Sequence, residues 1–122
     1  MSRDPIIDTH VHFWNMRNPD PGLAWVWLDK DADHPVLGNI DAIKMLSYNI
    51  DNLWAEARFA DVSAFVHVQA AIGSDDPVKE TIWLTRMRES SPVPFTIVAD
   101  AELGTDDAMR QLDMHGESPY FV

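Results

Sequence analysis

Two histidines one residue apart, His10 and His12, end a short apolar stretch that starts at Pro5, and they run directly into Phe13-Trp14. Side chains alternate across a β-strand, so two imidazoles at this spacing project from one side of a strand end. Such a pair can bind a divalent ion, zinc foremost. The ion would acidify a water and polarise a carbonyl. The chain has no cysteine, so every metal ligand must be His, Asp or Glu. A His-x-His by itself is weak: with five histidines among 122 residues, a shuffled chain contains one roughly one time in six. The setting strengthens it. Asp8 stands two residues earlier, and a long loop follows at once.

Other side chains near this pair carry competing readings. Asp8 could orient the histidines or bond local backbone. Gln69, at the end of the next apolar segment, shares a face with His67. Its amide either points into a substrate pocket or binds loop backbone. Glu80 falls in the first turn of a helix, where the dipole favours a carboxylate. Trp14 reads as a pocket residue, while Trp25 and Trp27 read as loop packing. The candidate substrate-binding residues are therefore Trp14 and Gln69. His34, His67 and His115 have no partner at ligand spacing and read as structural, His115 by compensating a helix C-terminus.

The elements that must place these residues alternate between strand-like and helix-like, which predicts a β/α architecture. Pro5–Val11 is the first strand. Residues 13–39 are a loop, punctuated by Asn18-Pro19, Asp20-Pro21-Gly22 and His34-Pro35. Asp41–Tyr48 can form a short helix. A better helix starts near Asp51, with Leu53, Trp54, Ala57 and Phe59 on its apolar side. Val62–Ala71 is nearly all apolar, as a parallel strand buried on both faces would be. Asp76-Pro77 opens the next helix as N-cap and first helical residue, and Ser90-Ser91-Pro92 ends it. Pro94–Ala101 is a third strand. Asp106–His115 is a third helix, stopped by Gly116. Pro119–Val122 looks like a strand beginning.

Composition narrows the function classes. Apolar residues make up 46% of the chain, enough for a packed core in one domain. The net charge of −11 would repel a phosphate backbone, so nucleic acid is a poor partner. No apolar run is long enough to cross a membrane, and Met1-Ser2-Arg3-Asp4-Pro5 lacks the apolar core of a leader. The expectation is a soluble, cytoplasmic protein with a small-molecule substrate. There is no Gly-rich phosphate loop and no Gly-x-Ser-x-Gly nucleophile turn.

Ile7-Asp8-Thr9-His10-Val11-His12-Phe13-Trp14 resembles the opening of the amidohydrolase-related family, in the branch of L-fuconolactonase-like sugar lactonases. Trp27-Leu28, Val66-His67-Val68-Gln69-Ala70, Glu80-Thr81-Ile82-Trp83-Leu84, Ala101-Glu102-Leu103 and Pro119-Tyr120-Phe121-Val122 are similar to later stretches of that branch. Two positions depart from it: Asn15 and Glu102 stand where the branch often has Asp. The resemblance implies an α/β fold made of the first three to four β/α units of a (β/α)8 TIM barrel. The 122 residues would be the N-terminal part of a single domain. It carries over two metal ligands, His10 and His12. The remaining ligands and the proton-transferring carboxylate belong to later strands, so no catalytic residue is expected up to Val122. The missing C-terminal part of the barrel is then a required partner. The implied function is metal-dependent hydrolysis of a lactone or related carbonyl ester or amide. Alternatives are a decarboxylase of the same superfamily, or a non-catalytic truncated product or partner subunit.

Overall fold

The computed structural model describes residues 4–32 and 34–122. Residues 1–3, part of the stretch read above for a leader, and Asp33 lie outside them. The elements in chain order are β1 (Ile6–Val11), β2 (Trp14–Asn15), β3 (Ser47–Tyr48), α1 (Ile50–Ala57), β4 (Val62–Val68), α2 (Val78–Glu89), β5 (Phe95–Val98) and α3 (Ala108–His115). The chain is thus mixed α/β, and β1, β4 and β5 form a parallel sheet in that order. Beyond β5, Phe121 bridges Ile97 in parallel, with Ile97 N–H donating to the Tyr120 carbonyl at 2.9 Å. Each strand of this sheet therefore lies beside the strand of the same sheet that precedes it in sequence.

The local signals explain most element ends. Asn49 caps α1 by accepting from the N–H groups of Asp51 and Asn52, and the Asn52 side chain returns a bond to the Asn49 N–H. This reciprocal box satisfies donors that a helix start otherwise leaves bare. Asp76 Oδ1 accepts from Val78 N–H at 3.0 Å, and Pro77 already has helical dihedrals. Gly116 follows α3 and donates its N–H to the Leu112 carbonyl.

The core lies on one face of the sheet. Val11, Phe65, Phe95 and Ile97 pack there with Phe13, Ile50 of α1 and Leu84 of α2. The Phe65 and Phe95 rings stack at 4.6 Å. The opposite face is not covered among the described residues: Ile7 of β1 and Val98 of β5 are 61% and 37% exposed. β4 consequently alternates between buried and half-buried positions, instead of being buried on both faces as its apolar run predicts. Trp54 and Phe59, read as the apolar side of α1, are exposed. Only Ile50 of that two-turn helix is buried.

The segment after β1 is not an open loop. β2 and β3 pair antiparallel, Trp14 opposite Tyr48 and Asn15 opposite Ser47, and this pair closes the excursion at its base. The helix expected at Asp41–Tyr48 is reduced to a 3-10 turn at Asp41–Ile43, because Ser47 and Tyr48 are drawn into this pairing. A second apolar cluster holds the loop down: Trp14, Leu23, Trp25 and Leu28 against Ala70 and Ala71. Val26 N–H donates to the Ile72 carbonyl at 3.0 Å. Val26 also lies so close to Gly73 that a Cβ there would meet its Cγ1 at 2.4 Å, and Gly73 has φ +97°. Both facts require glycine at that turn.

Candidate metal site

β1 delivers His10 and His12 to the carboxyl end of the sheet, and the two rings converge. Their Nε2 atoms are 3.1 Å apart and the ring planes are nearly perpendicular, at 82°. Two nitrogens bound to one tetrahedral zinc at about 2.0–2.1 Å would be separated by about 3.3 Å. A single ion between these nitrogens therefore needs almost no movement of either side chain. A proton on one Nε2 also satisfies the contact, so the geometry fits a metal without requiring one.

The orientation of each ring has a cause. His12 Nδ1 lies 2.8 Å from the Val68 carbonyl of β4. A carbonyl only accepts, so Nδ1 carries the proton and the Nε2 lone pair points away from the sheet. This is the arrangement by which a ligating histidine is usually fixed. His10 is exposed, and its backbone N–H donates to Asp8 Oδ1 at 3.1 Å. Asp8 thus bonds local backbone, the second of its two readings. Among the described residues no group of three or more His, Asp or Glu side chains stands together as a metal cage. The pair could offer two nitrogens to an ion.

The other candidates fall into different places. Trp14 is buried, stacks on Tyr48 at 5.2 Å and donates its indole N–H to the Met45 carbonyl. It packs the loop, and its indole N–H is used internally. Trp27 stands closer to the histidines instead. It is half-buried, 6.4 Å from His12 between ring centroids, and tied to β4 through the Ala70 carbonyl. Trp25 is buried against Trp83. Gln69 is half-buried, its backbone N–H bonds the Val98 carbonyl, and its side-chain amide has no hydrogen-bond partner among the described residues. It remains free to meet a ligand.

Glu80 differs most from its sequence reading. The carboxylate is buried, not displayed on a solvated first turn, and it accepts from the N–H groups of Ala70 and Ala71 at 2.9 and 3.1 Å. It holds the turn that follows Gln69. Burial pushes its pKa up to about 7, against the two amide donors that pull it down, with nearby Asp100 adding to the rise. The folded state therefore keeps a proton that the unfolded chain releases near pH 4.5. The Glu80 contribution to stability is greatest below pH 4.5, falls as pH rises to about 7, and is level above that. The Glu80 part of this fall is at most about 3 kcal/mol. Urea unfolding of wild type and Glu80→Gln between pH 4.5 and 8 should show a shallower pH dependence in the variant. Equal slopes would refute the buried carboxyl.

The three histidines outside the pair are all bonded inside the protein. His34 donates to the Trp27 carbonyl at 2.6 Å. His115, read as a charge at a helix end, is instead fully buried. It joins Thr81 of α2 at 2.8 Å to the Asp100 carbonyl at 2.8 Å. His67 is fully buried, and its Nε2 accepts the backbone N–H of Phe13 at 2.9 Å. Desolvation, with the neighbouring His12 adding to it, holds its pKa down to about 3, so the ring is neutral.

Known proteins add one likeness. The chain is 28% identical over 115 residues to an uncharacterized protein, y4mH, of Sinorhizobium fredii (strain NBRC 101917 / NGR234). The match covers 94% of this chain and 37% of that protein. This chain thus spans little more than a third of the relative's length. No family model and no solved structure matches. No helix among the described residues is long and apolar enough to cross a membrane.

Proposed function

We propose that this chain supplies the first metal ligands of a metal-dependent hydrolase of the amidohydrolase-related type, acting on a lactone or a related carbonyl ester or amide. The observation that carries the reading is the 3.1 Å approach of His10 Nε2 and His12 Nε2 at the carboxyl end of β1. In β/α barrels that end of the strands holds the chemistry. The sequential order of parallel strands, with Phe121 next in line, supports the first units of such a barrel. The exposed Ile7 is an apolar side chain that further structure would cover.

His10 and His12 would hold a divalent ion, zinc foremost, which when bound polarises a carbonyl and acidifies a water. The chain's own residues prepare its place. The Val68 carbonyl sets the His12 tautomer, Asp8 fixes the His10 backbone, and Glu80 holds the turn beside Gln69. The Gln69 amide would bond a polar group of the substrate, and Trp27 would border its apolar part. The remaining ligands and the group that moves the proton come from later strands or from a partner chain. The relative's greater length is in keeping with this.

The test is made on the protein purified from its native source, in the assembly it forms there. Metal content is measured by mass spectrometry, and acid release is followed across a panel of lactones. One equivalent of zinc and lactone opening that a chelator abolishes are expected. Metal-free protein that opens no lactone after zinc is supplied would overturn the proposal. Release of CO2 from an aromatic acid would move it to the decarboxylase reading.

A further inference from the structure

Consecutive residues of β4 hold His12 and the residue after it. The Val68 carbonyl accepts its Nδ1–H at 2.8 Å, and the His67 ring, one residue earlier, accepts the N–H of Phe13 at 2.9 Å. Phe13 lies just past the end of β1, where the strand ladder no longer offers its N–H a partner. Phe13 is fully buried, so that donor needs an acceptor inside the protein. An apolar residue at position 67 would leave it bare. The imidazole fills the need at a cost of its own, because His67 Nδ1 is buried with no hydrogen-bond partner. The residue type at 67 is therefore explained by what its Nε2 holds, not by its packing alone.

We infer that His67 is a positioning residue. It fixes the backbone behind His12, so that the His12 ring reaches the Val68 carbonyl and turns its Nε2 toward His10. The inference rests on the metal-site reading for its purpose, but the clamp itself can be observed without metal. Loss of an outer partner of a metal-ligating histidine typically weakens metal binding about 10- to 100-fold.

The experiment is long-range proton–nitrogen NMR of histidine-labelled full chain, for wild type, His67→Leu and His67→Gln, each followed by zinc titration. In wild type, His12 and His67 should both carry the proton on Nδ1, with Nε2 bare. In His67→Leu, His12 should lose that fixed tautomer, and zinc affinity should fall about 10- to 100-fold. Glutamine offers an oxygen to Phe13 N–H and should restore both. A wild-type His67 protonated on Nε2 overturns the clamp, whatever the variants do. So does a His67→Leu protein with an unchanged His12 tautomer and unchanged zinc affinity. If the leucine variant fails to fold, the wild-type tautomer and the glutamine variant decide. If wild type binds no zinc, yet His12 loses its tautomer in His67→Leu, the clamp stands and the metal reading falls.

Discussion

Phe13→Ala is expected to destabilise the protein by about 3–5 kcal/mol, the usual cost of emptying a buried aromatic site. The ring is fully buried and meets Phe65 at 5.5 Å, Phe95 at 6.1 Å, His67 at 5.4 Å and Tyr48 at 6.2 Å. It therefore joins β1 to β4, β5 and the base of the long loop. A domain of this size has about 5–15 kcal/mol of stability in total, so the loss should be visible as a large drop in urea midpoint. Phe13→Leu keeps most of the apolar volume and should lose less. Leu103→Ala is the comparison: that side chain is 77% exposed, and its removal should stay within about 0.5 kcal/mol. A Phe13→Ala protein as stable as Leu103→Ala would mean that this ring is not the joint of the core. Because His12 immediately precedes it, the same variant should also loosen the histidine pair.

What the sequence discloses and what it hides follow the range of the interactions. The Asp76-Pro77 helix start, the Gly116 helix end and the one-residue spacing of His10 and His12 depend on neighbours within a few residues, and they are legible from residue types and spacing. The β2–β3 pairing joins Trp14 to Tyr48 across more than thirty residues, and no local signal marks it. A short helix was the natural reading of Asp41–Tyr48 because helical spacing was visible and the distant strand partner was not. The exposure of Trp54 and Phe59 has a related cause. Apolar periodicity identifies a helix face but cannot say whether anything packs on it, and α1 has only two turns to present.

The site divides the same way. The spacing of His10 and His12 is local, but the parts that orient them are not. The Val68 carbonyl and the His67 ring reach them only through the β1–β4 register, which sets Val11 beside His67. Glu80 was read from its helix position alone, and its true partners, the amides of Ala70 and Ala71, become visible only when the turn after β4 folds back over α2. In sequence Trp14 stands nearer to His12 than Trp27 does. In space Trp14 turns into the loop cluster, and Trp27, fifteen positions from His12, comes to border its ring. A buried histidine one residue before a strand-end pair of apolar and amide residues was the available clue to position 67. It carries meaning only once the orphaned Phe13 amide is known.

The largest functional effect should come from the histidine pair. His10→Ala and His12→Ala each remove one of the two converging nitrogens, and each should lower zinc affinity by more than the roughly 100-fold that loss of an outer partner can reach. Their effects on folding should differ. His10 is exposed, so its replacement should leave stability within about 0.5 kcal/mol of wild type. His12 is half-buried and bonded to the Val68 carbonyl, so its loss should cost about 1 kcal/mol. His10→Ala is therefore the decisive variant, because a fall in metal content there cannot be blamed on unfolding. His34→Ala serves as the control: that ring bonds the Trp27 carbonyl, away from the pair, and its metal content should match wild type. Unchanged zinc content and unchanged lactone opening in both His10→Ala and His12→Ala would leave the 3.1 Å approach as a hydrogen bond between two rings. The hydrolase reading would lose the observation on which it stands.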